Sequence, residues 1–382
     1  MSSSVAAVFD PARLELARLA RGRRKNQLAT MVGVTPAAIS QYERGTNRPS
    51  GPVVAKLALA LGVPVEFFAE SRSIEHVYGS AAHFRSLRST SQMDRNKALA
   101  QAIITWDVVQ VLERHVQLPA RDLPTVRLPE SPRREDVESI AADLRAEWQL
   151  PIGPISNVIR LLESHGVVVT RLTLGTSRVD AFSVDFGRRP VVVLSDDKND
   201  KARSRLDGAH ELGHLVMHYD AEPGDRVVEQ QAQMFASAFL LPEDLIADQL
   251  PRRVNWPQLL QLKRTWGVSL KALLYRSRVL GVIAEPAYRR AMTTMSSRGW
   301  HRAEPGDLGP AERPVLLQRS LELLGGRGYL LENLAAEVRW PPEELLAIAA
   351  LEEERPVIEL DTEHEDHSVS NGGSVIRWTG SR

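Results

Sequence analysis

The residues best equipped for chemistry are His210-Glu211-Leu212-Gly213-His214. On a helix, side chains at i and i+4 lie one above the other, so both imidazoles can face one divalent ion at ~2.0–2.1 Å. Glu211, beside the pair, is placed to act as a general base on a water. Three protein ligands plus a water make a catalytic zinc site, so a third ligand is required. The chain has no cysteine, which removes thiolate ligands and disulfides and leaves histidines and carboxylates. His218 shares the helical face, but at ~1.5 Å per residue it lies ~12 Å along the axis from His210, too far for one ion. Asp220 would need a sharp chain reversal. Glu229, heading Glu229-Gln230-Gln231-Ala232-Gln233, has enough chain before it to return beside the pair. The expected centre is Zn²⁺ on His210, His214 and Glu229 with Glu211 catalytic and His218 lining the cleft or supporting a ligand. Three fixed positions in five recur by chance, and buried histidines are often mere core. The downstream glutamate, the apolar flanks and the absence of cysteine favour the metal.

A second constellation lies near the start. Gln27-Leu28-Ala29, Gly33-Val34, Ile39-Ser40 and Tyr42-Glu43-Arg44-Gly45 have the spacing of two short helices joined by a tight turn. Ala29 is small enough for helices to cross closely, Gly33 makes the turn, and Ile39 anchors the next helix. Thr35 suits an N-cap and Pro36 the first helical position. The outward face then carries Ala37, Ala38, Ser40 and Gln41, aimed at a major groove. Gln41 can pair with adenine, and Arg44 can reach guanine or phosphate. Gln27, Arg23, Arg24, Lys25, Asn47 and Arg48 complete the expected DNA contacts, the cations holding the phosphate backbone. This pattern resembles the XRE (Cro/repressor-like) helix-turn-helix family. The partner so implied is an operator in double-stranded DNA.

The elements that must position these residues follow from periodicity and punctuation. Residues 1–72 read as a lambda-repressor-like, five-helix unit, with helices at Pro11–Ala20, at Gln27–Val32, from Thr35 through Tyr42 and after Pro49-Ser50. Residues 73–134 read as a connector: Ile74–Phe84 extended, Ser89–His115 one long helix, then a Pro-rich linker over 119–134. The long helix suits either a homodimer interface or packing on the next domain. Residues 135–285 mix helices at 135–148 and 155–165 with strands at Gly166–Leu172, Val179–Phe186 and Pro190–Ser195. Helices then follow at 198–218, 226–241, 256–264 and 269–280. Residues 286–358 are a further helical region, and 359–382 a mobile, polar tail. The fold class is thus multidomain and mainly α, with one α+β domain holding a small three-stranded sheet. Two more helix pairs, Trp256–Ile283 and Leu331–Leu351, imitate a helix-turn-helix, but core packing accounts for them better. Tail residues His364 and His367 are expected to be solvated.

Residues 135–285 resemble the ImmA/IrrE family of metallopeptidase-like regulators. The resemblance is carried by Asp180-Ala181-Phe182-Ser183, Asn199, Arg205, the His210–Leu215 segment, His218, Glu229, Phe235-Ala236 and Leu240-Leu241-Pro242. It implies a gluzincin-like zinc endopeptidase whose third ligand is Glu229. An Asn or Asp is usual four residues later, where this chain has Gln233, an amide that can hydrogen-bond a ligand histidine. It also implies that the substrate is a helix-turn-helix repressor, cleaved under stress or during mobile-element induction. The peptide would lie along an edge strand, for which Pro190–Ser195 is the candidate.

The bulk numbers agree with a regulator of this kind. With 382 residues, 43% hydrophobic and 25% charged, the chain reads as a soluble protein of several domains. No apolar run approaches the ~18 residues of a membrane span, and MSSSVAAVFDPARLE lacks the pattern of a signal peptide. A cytoplasmic, bacterial-type protein is expected, nucleoid-associated when on DNA and without a membrane partner. The net charge of +0 conceals a basic start and an acidic end. Two functions remain open: a zinc endopeptidase brought to DNA by its helix-turn-helix, or a transcription factor whose zinc domain senses a ligand or partner. Self-cleavage in the 119–134 segment is disfavoured, because prolines make poor extended substrates.

Overall fold

Short helices punctuated by proline and glycine begin the chain. The computed structural model describes residues 2–69, 91–173, 180–196, 199–219 and 225–349. Helices α1 (Ser2–Ala7), α2 (Pro11–Ala20), α3 (Lys25–Val32), α4 (Pro36–Glu43) and α5 (Gly51–Leu61) precede a 3-10 turn at Val65–Ala69. Gly33 ends α3 at φ 72°, ψ 39°, a left-handed conformation that a side chain would strain. Thr35 then opens α4 by accepting the Ala38 amide at 3.1 Å. Helix α1 was not anticipated; it buries Val5 and packs along α5.

Helix α6 (Gln92–Leu112) is the long helix expected over Ser89–His115, and its flanks settle its role. Both sides are apolar: Ala98, Ala102, Ile103, Val109 and Leu112 are buried, with α2 against it and β3 beneath. That burial packs the helix within the chain. The stretch Ile74–Phe84 falls outside the described residues. The Pro-rich segment after α6 is a packed strap, not a linker. Leu123, Val126 and Leu128 lie on the core, and the Val126 amide donates to the Val216 carbonyl at 2.8 Å. Proline fixes φ without forbidding burial, and alternating apolar residues supplied the face.

Helices α7 (Arg134–Glu147) and α8 (Val158–Ser164) lead into strands β1 (Val168–Leu172), β2 (Ala181–Asp185) and β3 (Pro190–Ser195). Val179, expected to begin the second strand, lies outside the described residues. The order is β1-β3-β2, with β1 parallel and β2 antiparallel to β3. Pro190–Ser195 is therefore the central strand, not the edge. Its near-continuous apolar run, PVVVLS, is that of a strand covered on both faces and paired on both sides. Residues of one parity (Val168, Leu172, Phe182, Val184, Val191, Val193) join a core with α1–α6 and the last helices. Those of the other parity (Val169, Ala181, Val192, Leu194) join a second core around the metal-motif helix.

That helix is α9 (Lys201–Met217), opened by Asp200 accepting from the Arg203 amide at 2.7 Å. It is followed by α10 (Arg226–Leu240), α11 (Glu243–Ile246), α12 (Trp256–Trp266), α13 (Leu270–Val279) and α14 (Glu285–Ser297). The helix-turn-helix mimic at α12–α13 is core indeed: Lys263 pairs with Glu304, and buried Arg276 grips Glu138 through both terminal nitrogens. Helices α15 (Leu316–Gly325), α16 (Leu331–Val338) and α17 (Pro342–Ile348) turn back onto the first core. Trp340 packs on Phe67 at 5.1 Å between ring centroids, and Arg21 covers its ring at 4.9 Å while pairing with Glu344 at 2.6 Å. On the far side, the Thr170 hydroxyl of β1 donates to the Ile348 carbonyl. Residues 1–351 form one unit, so the helix-turn-helix is docked rather than tethered. Residues 350–382, with His364 and His367, are not among those described.

Candidate metal centre and nucleic-acid interface

Helix α9 stacks His210 and His214 on one face, and α10 brings Glu229 to them in its first turn. One donor atom from each lies within 4.8 Å of the others. The two Nε2 atoms are 3.0 Å apart, with His210 Nε2 at 3.3 Å and His214 Nε2 at 3.7 Å from the Glu229 carboxylate. Ligands ~2.0–2.1 Å from a tetrahedral ion sit about 3.4 Å from one another, and these separations bracket that value. Two imidazole nitrogens and a carboxylate converging at such range repel unless a proton or a cation lies between them. The donor set and its spacing therefore fit zinc. Both histidines are fully buried, whereas the Glu229 side chain retains 18% exposure and marks the open side.

The helices can approach this closely because of Gly213. A Cβ there would stand 3.0 Å from Phe235 Cδ1 and 3.3 Å from Phe235 Cβ, in the α10 backbone's own side-chain root. Glu211 is fully buried on the other flank of α9, where its Oε2 accepts the Ser183 hydroxyl of β2 at 2.8 Å. Ser183 stood within the quoted resemblance without a role; its parity on β2 makes it the carboxylate's support.

Of the two residues expected near the ligands, His218 is in place. Its Nδ1 meets His214 Nδ1 at 3.1 Å, and its Nε2 meets Gln231 Oε1 at 2.9 Å. Gln233 lies one turn from Glu229 on the same face of α10 and is half-buried. The amide that reaches His218 is Gln231, which sequence reasoning passed over because it sits on the opposite side of α10 from Glu229. Arg205 and Asn199 also gain roles. Arg205 clasps buried Glu312 and the Ile155 carbonyl, and Asn199 accepts the Ala311 amide at 2.9 Å. Glu312 in turn accepts the Val158 amide at the start of α8. These contacts lash the segment before α15 to the front of α9.

The expected DNA face is open along α4. Ala37, Gln41 and Arg44 are exposed, Ala38 and Ser40 half-exposed, and Ile39 and Tyr42 buried beneath. Arg23, Arg24, Gln27 and Asn47 are exposed as well, with Gln27 accepting the Arg24 amide at 2.8 Å as a helix cap. The basic start is less free than its composition suggests. Arg13 is buried against Asp107, Arg18 against Glu43, and Lys25 also pairs with Glu43 at 2.8 Å. Arg48 donates to the Ala7 carbonyl at 2.8 Å. The buried Glu43 carboxylate draws Lys25 and a backbone carbonyl takes Arg48, so both have intramolecular partners where phosphate contacts were expected.

Residues 14–68 match the helix-turn-helix family and residues 162–278 the IrrE N-terminal-like domain of the M78 peptidase family. No curated protein matches the chain. Among the described residues no helix is long and apolar enough to cross a membrane.

Proposed function

We propose that this chain, which joins a helix-turn-helix domain to an IrrE N-terminal-like peptidase domain, is a DNA-binding transcriptional regulator and zinc endopeptidase that cleaves a helix-turn-helix repressor. The observation that carries this reading is the convergence of His210, His214 and Glu229 beside a buried carboxylate, Glu211. A zinc ion held by those three residues would supply Lewis acidity to a carbonyl and a water. Glu211, its Oε2 fixed by Ser183, takes the proton of the attacking water and delivers it to the departing amine. The new C–O bond forms first, and the C–N bond then breaks as the amine leaves with that proton. Asp180 and Phe186 make backbone bonds to the β3 side, so by the period of two Ala181, Ser183 and Asp185 turn their amides and carbonyls outward. That outer edge of β2, which pairs with β3 alone among the described residues, is where an extended peptide would dock. Helix α4 faces an operator with Gln41 and Arg44, and Arg23 and Arg24 hold phosphate. A cytoplasmic setting and a stress or mobile-element response belong to the same proposal.

The docking of α2 and α5 on the sheet's rear core favours a second reading, in which zinc-domain occupancy is sensed at the DNA face without cleavage. Comparing the full chain with Glu211→Gln separates the two. Zinc in both by mass spectrometry, with neighbouring-gene repressors cleaved by wild type alone, establishes the peptidase. Zinc in both with every candidate intact, and operator affinity altered by zinc removal, establishes the sensor. A zinc-free wild type sinks both.

A further inference from the structure

His214 has two ring nitrogens, and only one can serve a metal. A neutral imidazole carries its hydrogen on one nitrogen and a lone pair on the other, so a ligand atom must be kept bare. Three buried side chains form a line that decides which. Gln231 Oε1 lies 2.9 Å from His218 Nε2, His218 Nδ1 lies 3.1 Å from His214 Nδ1, and His214 Nε2 faces His210 and Glu229.

The proton positions follow from the far end of the line. An amide oxygen only accepts, so His218 Nε2 must be the donor and carry the hydrogen. His218 Nδ1 is then a lone pair. His214 Nδ1 has to donate to it, which leaves His214 Nε2 bare and pointing at its two partners. The reverse arrangement would set the His218 Nε2 lone pair against the Gln231 oxygen, both on buried side chains.

We infer that Gln231 and His218 are positioning residues that set the tautomer of His214 and hold its Nε2 ready for zinc. This deepens the zinc reading above and rests on it for its purpose. Its geometry adds a division of labour to α10: Glu229 offers an oxygen to the ion while Gln231, on another face, fixes the ring that shares it. Of the two, only Glu229 places a donor atom with those of His210 and His214, where it would hold the ion. Outer contacts of this kind orient ligand histidines and raise their affinity for metal.

The test uses the full chain, labelled with ¹⁵N-histidine, stripped of metal and held at about pH 8.5, where free imidazole is neutral. Multiple-bond ¹H–¹⁵N spectra identify which nitrogen of each ring carries hydrogen, with His214 and His218 assigned by substitution. We expect Nδ1–H for His214 and Nε2–H for His218 in the wild type. Gln231→Glu keeps an acceptor and should keep both tautomers, whereas Gln231→Met should show His214 as a mixture. Zinc affinity by competition with a chromophoric chelator should fall by about 10- to 100-fold in Gln231→Met and hold in Gln231→Glu. Circular dichroism confirms that each variant is folded. The inference is overturned if metal-free wild type shows Nε2–H at His214, or if folded Gln231→Met keeps wild-type tautomers and affinity. No zinc uptake by the wild type would instead defeat the metal reading, and the spectra would still decide the relay.

Discussion

Gly213→Ala is the substitution whose effect can be reasoned most closely, because a matched control lies on the same helix. The added Cβ would meet Phe235 Cδ1, Cγ and Cβ at 3.0, 3.2 and 3.3 Å. Comfortable carbon contacts fall at about 3.5–4.0 Å, so α9 and α10 must part by about half an ångström or more. Phe235 cannot simply swing aside, since its Cβ is among the atoms struck and its ring is fully buried and stacked on Phe239. Overpacking of this kind costs about 1–3 kcal/mol, offset by about 0.5–1 kcal/mol from replacing a helical glycine. A net loss of about 0–2.5 kcal/mol is expected. The centre suffers more, because metal–ligand distances tolerate only about 0.2 Å and Glu229 rides on α10 while both histidines ride on α9. Zinc affinity should fall by about 10- to 100-fold, the size of effect that follows when a ligand is misplaced. Gly208→Ala is the control. Its Cβ would meet Ile159 Cδ1 at 3.1 Å and the tips of Leu162 and Val158, all on α8, which carries no candidate ligand. Those side-chain ends can turn, so zinc affinity should stay at the wild-type level. Chelator competition reads affinity, and urea denaturation in excess chelator reads stability apart from metal. Wild-type zinc affinity in Gly213→Ala, or an equal loss in Gly208→Ala, would refute the reasoning.

Three further outcomes are expected. Burial pushes the Glu163 carboxyl from 4.5 up to about 7, against the pull of the Val315 and Leu316 amides that it accepts. The folded state thus holds this proton more tightly, so its contribution is full below about pH 4.5 and is lost as pH rises through about 7. The difference, about 3 kcal/mol, should disappear from the pH 5 to pH 8 comparison in Glu163→Gln, and denaturation curves that change equally in both proteins would contradict it. On a generic duplex, Arg24→Ala should reduce the slope of log affinity against log salt by about one, and Lys25→Ala by clearly less because Glu43 already holds it; equal changes by fluorescence anisotropy would count against the assignment. Trp340→Ala empties a buried site between the helix-turn-helix and α17, costing about 3–5 kcal/mol. Calorimetry should then resolve separate melting of the helix-turn-helix, and one unshifted transition would show that Trp340 does not couple the two.

The pairing of His210 with His214, the Gly33 turn and the N-cap at Thr35 could be read directly, because each depends on helical period or on one residue's backbone freedom. The same holds for the existence of three strands and most helices, which differ from expectation by a few residues at their ends. Strand order could not be read. Val191–Leu194 is apolar on both parities, which tells of burial on two faces but not of which neighbours supply it, so the edges fell to β1 and β2 and not to Pro190–Ser195. Charge was equally ambiguous in one dimension. Lys25 looks like a phosphate contact until Glu43, already held by Arg18, is seen beside it. Gln231 carries no motif of its own and Ser183 had a motif but no role; only the crossing of α10 over α9, and of α9 over β2, puts them within 3 Å of a histidine nitrogen and a carboxylate oxygen. Local order along a helix determined which residues could share an ion. The packing of helices and sheet, set by contacts between residues far apart in the chain, decided what surrounds that ion and which strand edge a substrate could meet.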